Sequence, residues 1–169
     1  MKTVKYLIAL VLLTVAGFAK AEPADLKSSV NAAVKSYLDI KNALAADNNK
    51  AANDAAKQFT TALKRIQPDQ MDAKQKEAWQ KYGEKLRYDG DHISESTEIA
   101  HQREHFGSLS ANLYAVLKAF KDNDVSLYQQ YCPMAKKTWL SDQSAIKNPY
   151  LGKKMLDCGV TKETLKAAK

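Results

Sequence analysis

Two cysteines and two methionines near the C-terminus are the residues best suited to chemistry. Cys132 and Met134 stand in Tyr131-Cys132-Pro133-Met134-Ala135, and Met155 and Cys158 in Met155-Leu156-Asp157-Cys158-Gly159. Met155 and Cys158 are three residues apart, which puts them on one face of a helical turn. Thiolate and thioether together make a soft ligand set that selects Cu(I) or Ag(I), with Zn(II) a poorer match because thioethers add little to it. The same residues admit a plain Cys132–Cys158 disulfide with two methionines packed beside it. A disulfide closing a loop of this size contributes about 3 kcal/mol. Spacing alone leaves both readings open.

His101 and His105 form a second candidate. At i, i+4 they share a helix face, and such a pair suits Cu(II) or Zn(II). They fall beside the apolar stripe of their helix, where two solvated histidines would also be at home. His92 stands alone and reads as a surface residue. Asp89, Asp91 and Glu95 read as a solvated acidic cluster. Ser108 and Ser110 lack the context of an activated nucleophile, and the chain has no Gly-rich phosphate loop. No enzyme is expected.

The elements that must position these residues are helical. Apolar residues recur at three and four spacing from Leu26 through Val30, Val34, Tyr37 and Leu38 to Leu44, interrupted by Lys41. Asp25 is a candidate N-cap. A second run goes from Ala52 through Phe59 to Ile66 and stops at Pro68. A third opens at Asp72 with Gln75 as a capping box, and Asp89-Gly90-Asp91 suggests a kink or break. The fourth spans Phe106 to Phe120. Four helices with short connections predict an all-α, four-helix up-down bundle over residues 22–124. Residues 125–169, punctuated by Pro133 and Pro149, read as an irregular Cys/Met segment packed on the bundle within one domain. Thr161 to Lys169 reads as a short basic helix or frayed tail. Arg103, beside Gln102, is placed to anchor this tail through hydrogen bonds.

The N-terminus has the three parts of a cleavable export signal: Lys2 and Lys5, an apolar stretch from Tyr6 to Phe18, and a small-x-small site at Ala19-Lys20-Ala21. Cutting before Glu22 removes 21 of the 169 residues and leaves 148, long enough for a real core. The net charge of +7 then falls to about +4, because Lys2, Lys5 and Lys20 are lost. Interspersed charge of that size does not suggest nucleic-acid binding. The expected location is the periplasm, with no membrane span after cleavage.

The run Tyr131-Cys132-Pro133-Met134-Ala135, Trp139-Leu140-Ser141, Ile146-Lys147-Asn148-Pro149-Tyr150, Gly152 and Met155-Leu156-Asp157-Cys158-Gly159 resembles a family of bacterial exported domains of unknown function. These occur alone or fused to CusB-type periplasmic adaptors of copper/silver efflux pumps. Upstream, Tyr37-Leu38-Asp39-Ile40-Lys41-Asn42-Ala43-Leu44 and Gln102-Arg103-Glu104-His105-Phe106-Gly107-Ser108-Leu109-Ser110 carry the resemblance too, so it spans about residues 30–160. It implies Cys132, Met134, Met155 and Cys158 as ligands of Cu(I) or Ag(I). It also implies a heavy-metal efflux adaptor or a copper acceptor as partner. Cys132-Pro133-Met134 is similar to the core of short heavy-metal-binding domains, which usually continue with His-Pro where this chain has Ala135-Lys136. The expectation is a periplasmic protein that sequesters or delivers Cu(I). The alternative is a metal-free interaction module stapled by a disulfide.

Overall fold

The computed structural model describes residues 25–168. The expected export signal and its cleavage site lie outside them. Four helices come first: α1 (Leu26–Ala45), α2 (Asn49–Leu63), α3 (Ala73–Glu95) and α4 (Ile99–Phe120). Each starts or stops for a local reason. The Asp25 carboxylate accepts from the Ser28 N–H at 2.8 Å, and Asn48 accepts from the Ala51 N–H at 3.0 Å, contacts that each stabilise a helix by about 1 kcal/mol. Asp72 and Gln75 form the full reciprocal capping box. Lys121 closes α4 in the left-handed conformation at φ 57°.

Consecutive helices pack on one another, and α4 returns to α1. Asn53 near the start of α2 donates to the Ile93 and Ser96 carbonyls at the end of α3, so those two helices run antiparallel. The shared core holds Tyr37, Phe59, Leu86, Ile93, Phe106 and Leu109, all fully buried. The Tyr37 and Phe106 rings stack at 5.2 Å. Among the described residues no helix is long and apolar enough to cross a membrane.

Two expectations need correction. The helix α3 is continuous through Asp89-Gly90-Asp91. Gly90 is there for close approach, since a Cβ on it would meet the Thr60 methyl at 2.6 Å. The second correction is larger: the fold is not all-α, and the C-terminal segment is not irregular. It forms an antiparallel sheet of β1 (Leu127–Cys132), β2 (Lys137–Ser141) and β3 (Val160–Leu165) in the order β2-β1-β3. Thr161 to Leu165, expected as helix or tail, belongs to β3, one of the two edge strands. Its alternation was invisible because β3 pairs on one side only and is largely exposed. In β1 a register shift at Gln129/Gln130 breaks the period of two, so Leu127, Gln130 and Cys132 are the buried positions.

The sheet is fastened to the bundle by polar contacts. The Tyr37 hydroxyl bonds the Ser110 hydroxyl at 2.7 Å and accepts from the Leu140 N–H at 2.9 Å. Lys41, the residue that broke the apolar stripe of α1, is buried and reaches Ser141 at 3.4 Å and Asp142 at 3.8 Å. Burial pushes its pKa down, against the pull of Asp142.

Candidate metal centre

The β1–β2 connection, residues 133–136, and the loop from Asn148 to Gly159 bring the two cysteines together. The Cys132 and Cys158 sulfurs lie 3.5 Å apart, and both thiols are free. A disulfide would need about 2.05 Å. Two sulfurs on one tetrahedral metal ion with bonds of about 2.3 Å stand about 3.8 Å apart. The observed spacing is therefore close to that of a shared metal. Cys132 ends β1 and is fully buried, whereas Cys158 is half-buried.

Hydrogen bonds prepare Cys132 to be the thiolate of the pair. Burial would raise its pKa, but the Ala135 N–H, the Asn148 side chain, the Cys158 thiol and the Met134 N–H together hold it below the ordinary thiol value. The Ala135 N–H reaches the sulfur at 3.3 Å. Cys158 moves the other way, raised first by its bond to Cys132 and then by burial.

Asn148 is the organiser of this loop, and it is fully buried. Its side-chain nitrogen donates to the Cys158 carbonyl at 2.7 Å. Its side-chain oxygen accepts from the Tyr150 and Leu151 N–H groups at 2.8 and 3.1 Å. Sequence reading had Asn148 only as part of a family-like string. The Asn148-Pro149 dipeptide, which favours turn initiation, was the signal available.

Arg103 does anchor this tail. Its guanidinium donates to the Pro149 carbonyl at 2.7 Å, to the Leu44 carbonyl at 2.8 Å, and to the Asp47 carboxylate. Asp47 also accepts from the Lys153 N–H at 3.0 Å. Gly152 sits under this cluster at φ 57°, and a Cβ there would fall 2.0 Å from the Asp47 carboxylate. Only glycine satisfies both the conformation and the space.

The methionines are placed differently. Met134 and Met155 flank the cysteine pair on the same two loops, and the Cys158 N–H donates to the Met155 carbonyl at 3.2 Å. That contact closes a turn rather than the expected helical turn. Both side chains are exposed, Met134 to 65% and Met155 to 40%. They are not packed as gap-fillers in a core, which was the expectation under the disulfide reading.

The histidines were placed incorrectly in part. His101 and His105 do share a face of α4, but His92 is not alone: it joins them from α3. Asp89 is not part of a solvated cluster either. It is 4% exposed and bonds His105 Nδ1 at 3.0 Å. The missed signal was the hairpin itself. Asp89 and His105, and His92 and His101, mirror each other about the connection at Ser96–Glu98.

The chain is a four-helix bundle carrying a three-stranded sheet, with one buried and one half-buried cysteine side by side. The chain matches the family described as protein of unknown function DUF3347 over residues 33–125, and it belongs to that family. The matched span holds α4 and the histidines, whereas Cys132 and Cys158 lie beyond it. No curated protein and no solved structure matches the chain.

Proposed function

We propose that this protein is an exported, non-enzymatic carrier of a soft metal ion. It binds one Cu(I) or Ag(I) through Cys132 and Cys158, with Met134 and Met155 closing as thioether ligands. The supporting observation is the free cysteine pair at 3.5 Å with two exposed methionines on the same loops. Thiolate and thioether donors suit a monovalent soft ion, and the hydrogen bonds around Cys132 favour its thiolate form.

Delivery proceeds by ligand exchange. An acceptor's sulfur replaces the exposed thioethers first and the half-buried Cys158 next, leaving buried Cys132 last. Of the six large apolar side chains exposed among the described residues, Met134, Met155, Leu156 and Val160 each stand within three residues of Cys132 or Cys158 in the chain. An apolar patch of that kind suits transient docking of a protein. Lys136, Lys153 and Lys154, all exposed, flank it and favour an acceptor with an acidic rim. The partner fitting this role is a periplasmic adaptor of heavy-metal efflux or another copper acceptor.

The test is a thiol count on mature protein taken anaerobically from its own compartment, followed by Cu(I) titration against a competing chelator. Two free thiols and one tightly held Cu(I), lost in Cys132→Ser and in Cys158→Ser, are expected. No free thiols, and no copper uptake after mild reduction, would make the pair a structural staple and remove the proposal.

A further inference from the structure

Away from the cysteines, the α3–α4 hairpin gathers three imidazoles. His92 comes from α3, and His101 and His105 come from successive turns of α4. One ring nitrogen from each lies within 4.8 Å of the other two. The His92 and His105 rings stack at 4.4 Å, His101 meets His105 at 4.6 Å, and His92 and His101 are 5.8 Å apart. All three are half-buried, so they are shielded yet reachable.

A second observation points to a ligand. Asp89, almost wholly buried, bonds His105 Nδ1 at 3.0 Å. A neutral imidazole held this way carries its proton on Nδ1 and turns a lone pair outward on Nε2. A carboxylate behind a histidine is the arrangement that orients metal-ligating imidazoles and raises their basicity. Among the described residues, none hydrogen-bonds to the ring nitrogens of His92 or His101. Three donors thus converge with one already oriented from behind.

We propose that His92, His101 and His105 form a second metal site, which takes a borderline divalent cation, Zn(II) or Cu(II), through three imidazole nitrogens. Nitrogens on a tetrahedral ion with bonds of about 2.0–2.1 Å stand about 3.4 Å apart. The candidate ligand atoms now lie within 4.8 Å of one another, so the rings draw together on binding, with His105 held from behind by Asp89. His92 and His101 also line a shallow depression of about 360 Å³ with Glu95, Ser96, Thr97 and Glu98, which leaves room for a fourth ligand on their side. A water molecule or a ligand from a partner completes the coordination there. Imidazole nitrogens prefer this class of ion, just as the sulfur pair prefers Cu(I). The two sites therefore divide by ion, and this one does not depend on the cysteines.

The test uses the mature chain carrying Cys132→Ser and Cys158→Ser, titrated with Zn(II) and with Cu(II) at neutral pH against a chelator. One equivalent of either ion binds, and the Cu(II) form shows nitrogen hyperfine structure in its electron paramagnetic resonance spectrum. His101→Gln weakens binding at least roughly a hundredfold, and Asp89→Asn roughly ten- to a hundredfold. The thermal unfolding of each variant without metal reports whether it is folded. If Asp89→Asn is unfolded, the half-exposed His101→Gln carries the test. If the serine background is unfolded, the unmodified chain must lose one Zn(II) equivalent on His101→Gln. Binding unchanged by His101→Gln, or no saturable binding at all, overturns the site.

Discussion

The Arg103 guanidinium on α4 donates to the Pro149 carbonyl at 2.7 Å, and this contact sets the loop that delivers Cys158 to Cys132. The same guanidinium holds the end of α1 through Leu44 and Asp47. One residue thus ties the bundle to the metal loop. Arg103→Lys keeps the charge but loses the planar fork. We expect it to lower stability by about 1–2 kcal/mol and to weaken Cu(I) binding in parallel. Chemical denaturation and a chelator competition read the two effects. Unchanged copper affinity would separate the anchor from the site.

Gly152→Ala tests the same cluster from the other side. The residue sits at φ 57° and its Cβ would strike Asp47 and Arg103. Left-handed strain for a non-glycine residue costs about 1–3 kcal/mol, and the clash adds to it. The melting temperature should fall, with hydrogen exchange rising first in residues 148–159. Uniform loss across the helices instead would mean the loop and bundle unfold together.

Asn148→Ala removes a fully buried side chain that donates to the Cys158 carbonyl and helps lower the Cys132 pKa. It should cost about 1–3 kcal/mol through the groups left unpaired. It should also raise the pH at which the first thiolate forms, read by ultraviolet absorbance of the thiolate in reduced protein. A thiolate titration identical to that of the parent chain would contradict the role given to Asn148.

The Asp47 carboxyl is held below its ordinary value of 3.8, first by the Arg103 hydrogen bond and then by the Lys153 N–H. The folded pKa is depressed, so the unfolded state binds more protons in this range. The stabilisation is fully present above pH 3.8 and is lost as pH falls through the lower folded value. Unfolding followed by circular dichroism from pH 5 downward should show this loss. Asp47→Asn should be less stable at neutral pH and should lack that part of the acid dependence.

Lys41→Met probes the buried lysine beneath the sheet. Burial depresses its pKa below 10.5, so the folded state releases its proton more readily than the unfolded one. The penalty is full below the folded pKa and fades as pH rises toward 10.5. Ser141 keeps a donor in the Gln143 N–H at 3.1 Å, and Asp142 remains partly exposed. Replacement should raise stability at neutral pH by about 1 kcal/mol, read by urea denaturation. A loss of that size would mean that the lysine contacts outweigh its desolvation.

The helices were legible because their signals are local. Asp72 and Gln75 announce a capping box three residues apart, and the structure forms it. The stripe from Leu26 to Leu44 is the buried face of α1. Lys41, the one discord in that stripe, was legible as a discord but not in its cause, because Ser141 lies 100 residues away. The strands were illegible for a different reason. The bulge at Gln129/Gln130 shifts the alternation of β1, and β3 is an exposed edge with no apolar face. For the sites, spacing suggested Cys132 with Met134 and Met155 with Cys158, and the fold joins the cysteines. His92 was missed because its partners come from the next helix, and helix pairing is a tertiary fact.

X-ray absorption at the copper edge, on the mature chain loaded anaerobically with one equivalent of Cu(I), tests the central claim most directly. The expected first shell is sulfur alone, four atoms, falling to three in Met134→Leu and to three in Met155→Leu. A shell of nitrogen or oxygen, or a sulfur shell unchanged by both methionine substitutions, would contradict a Cys/Met copper site.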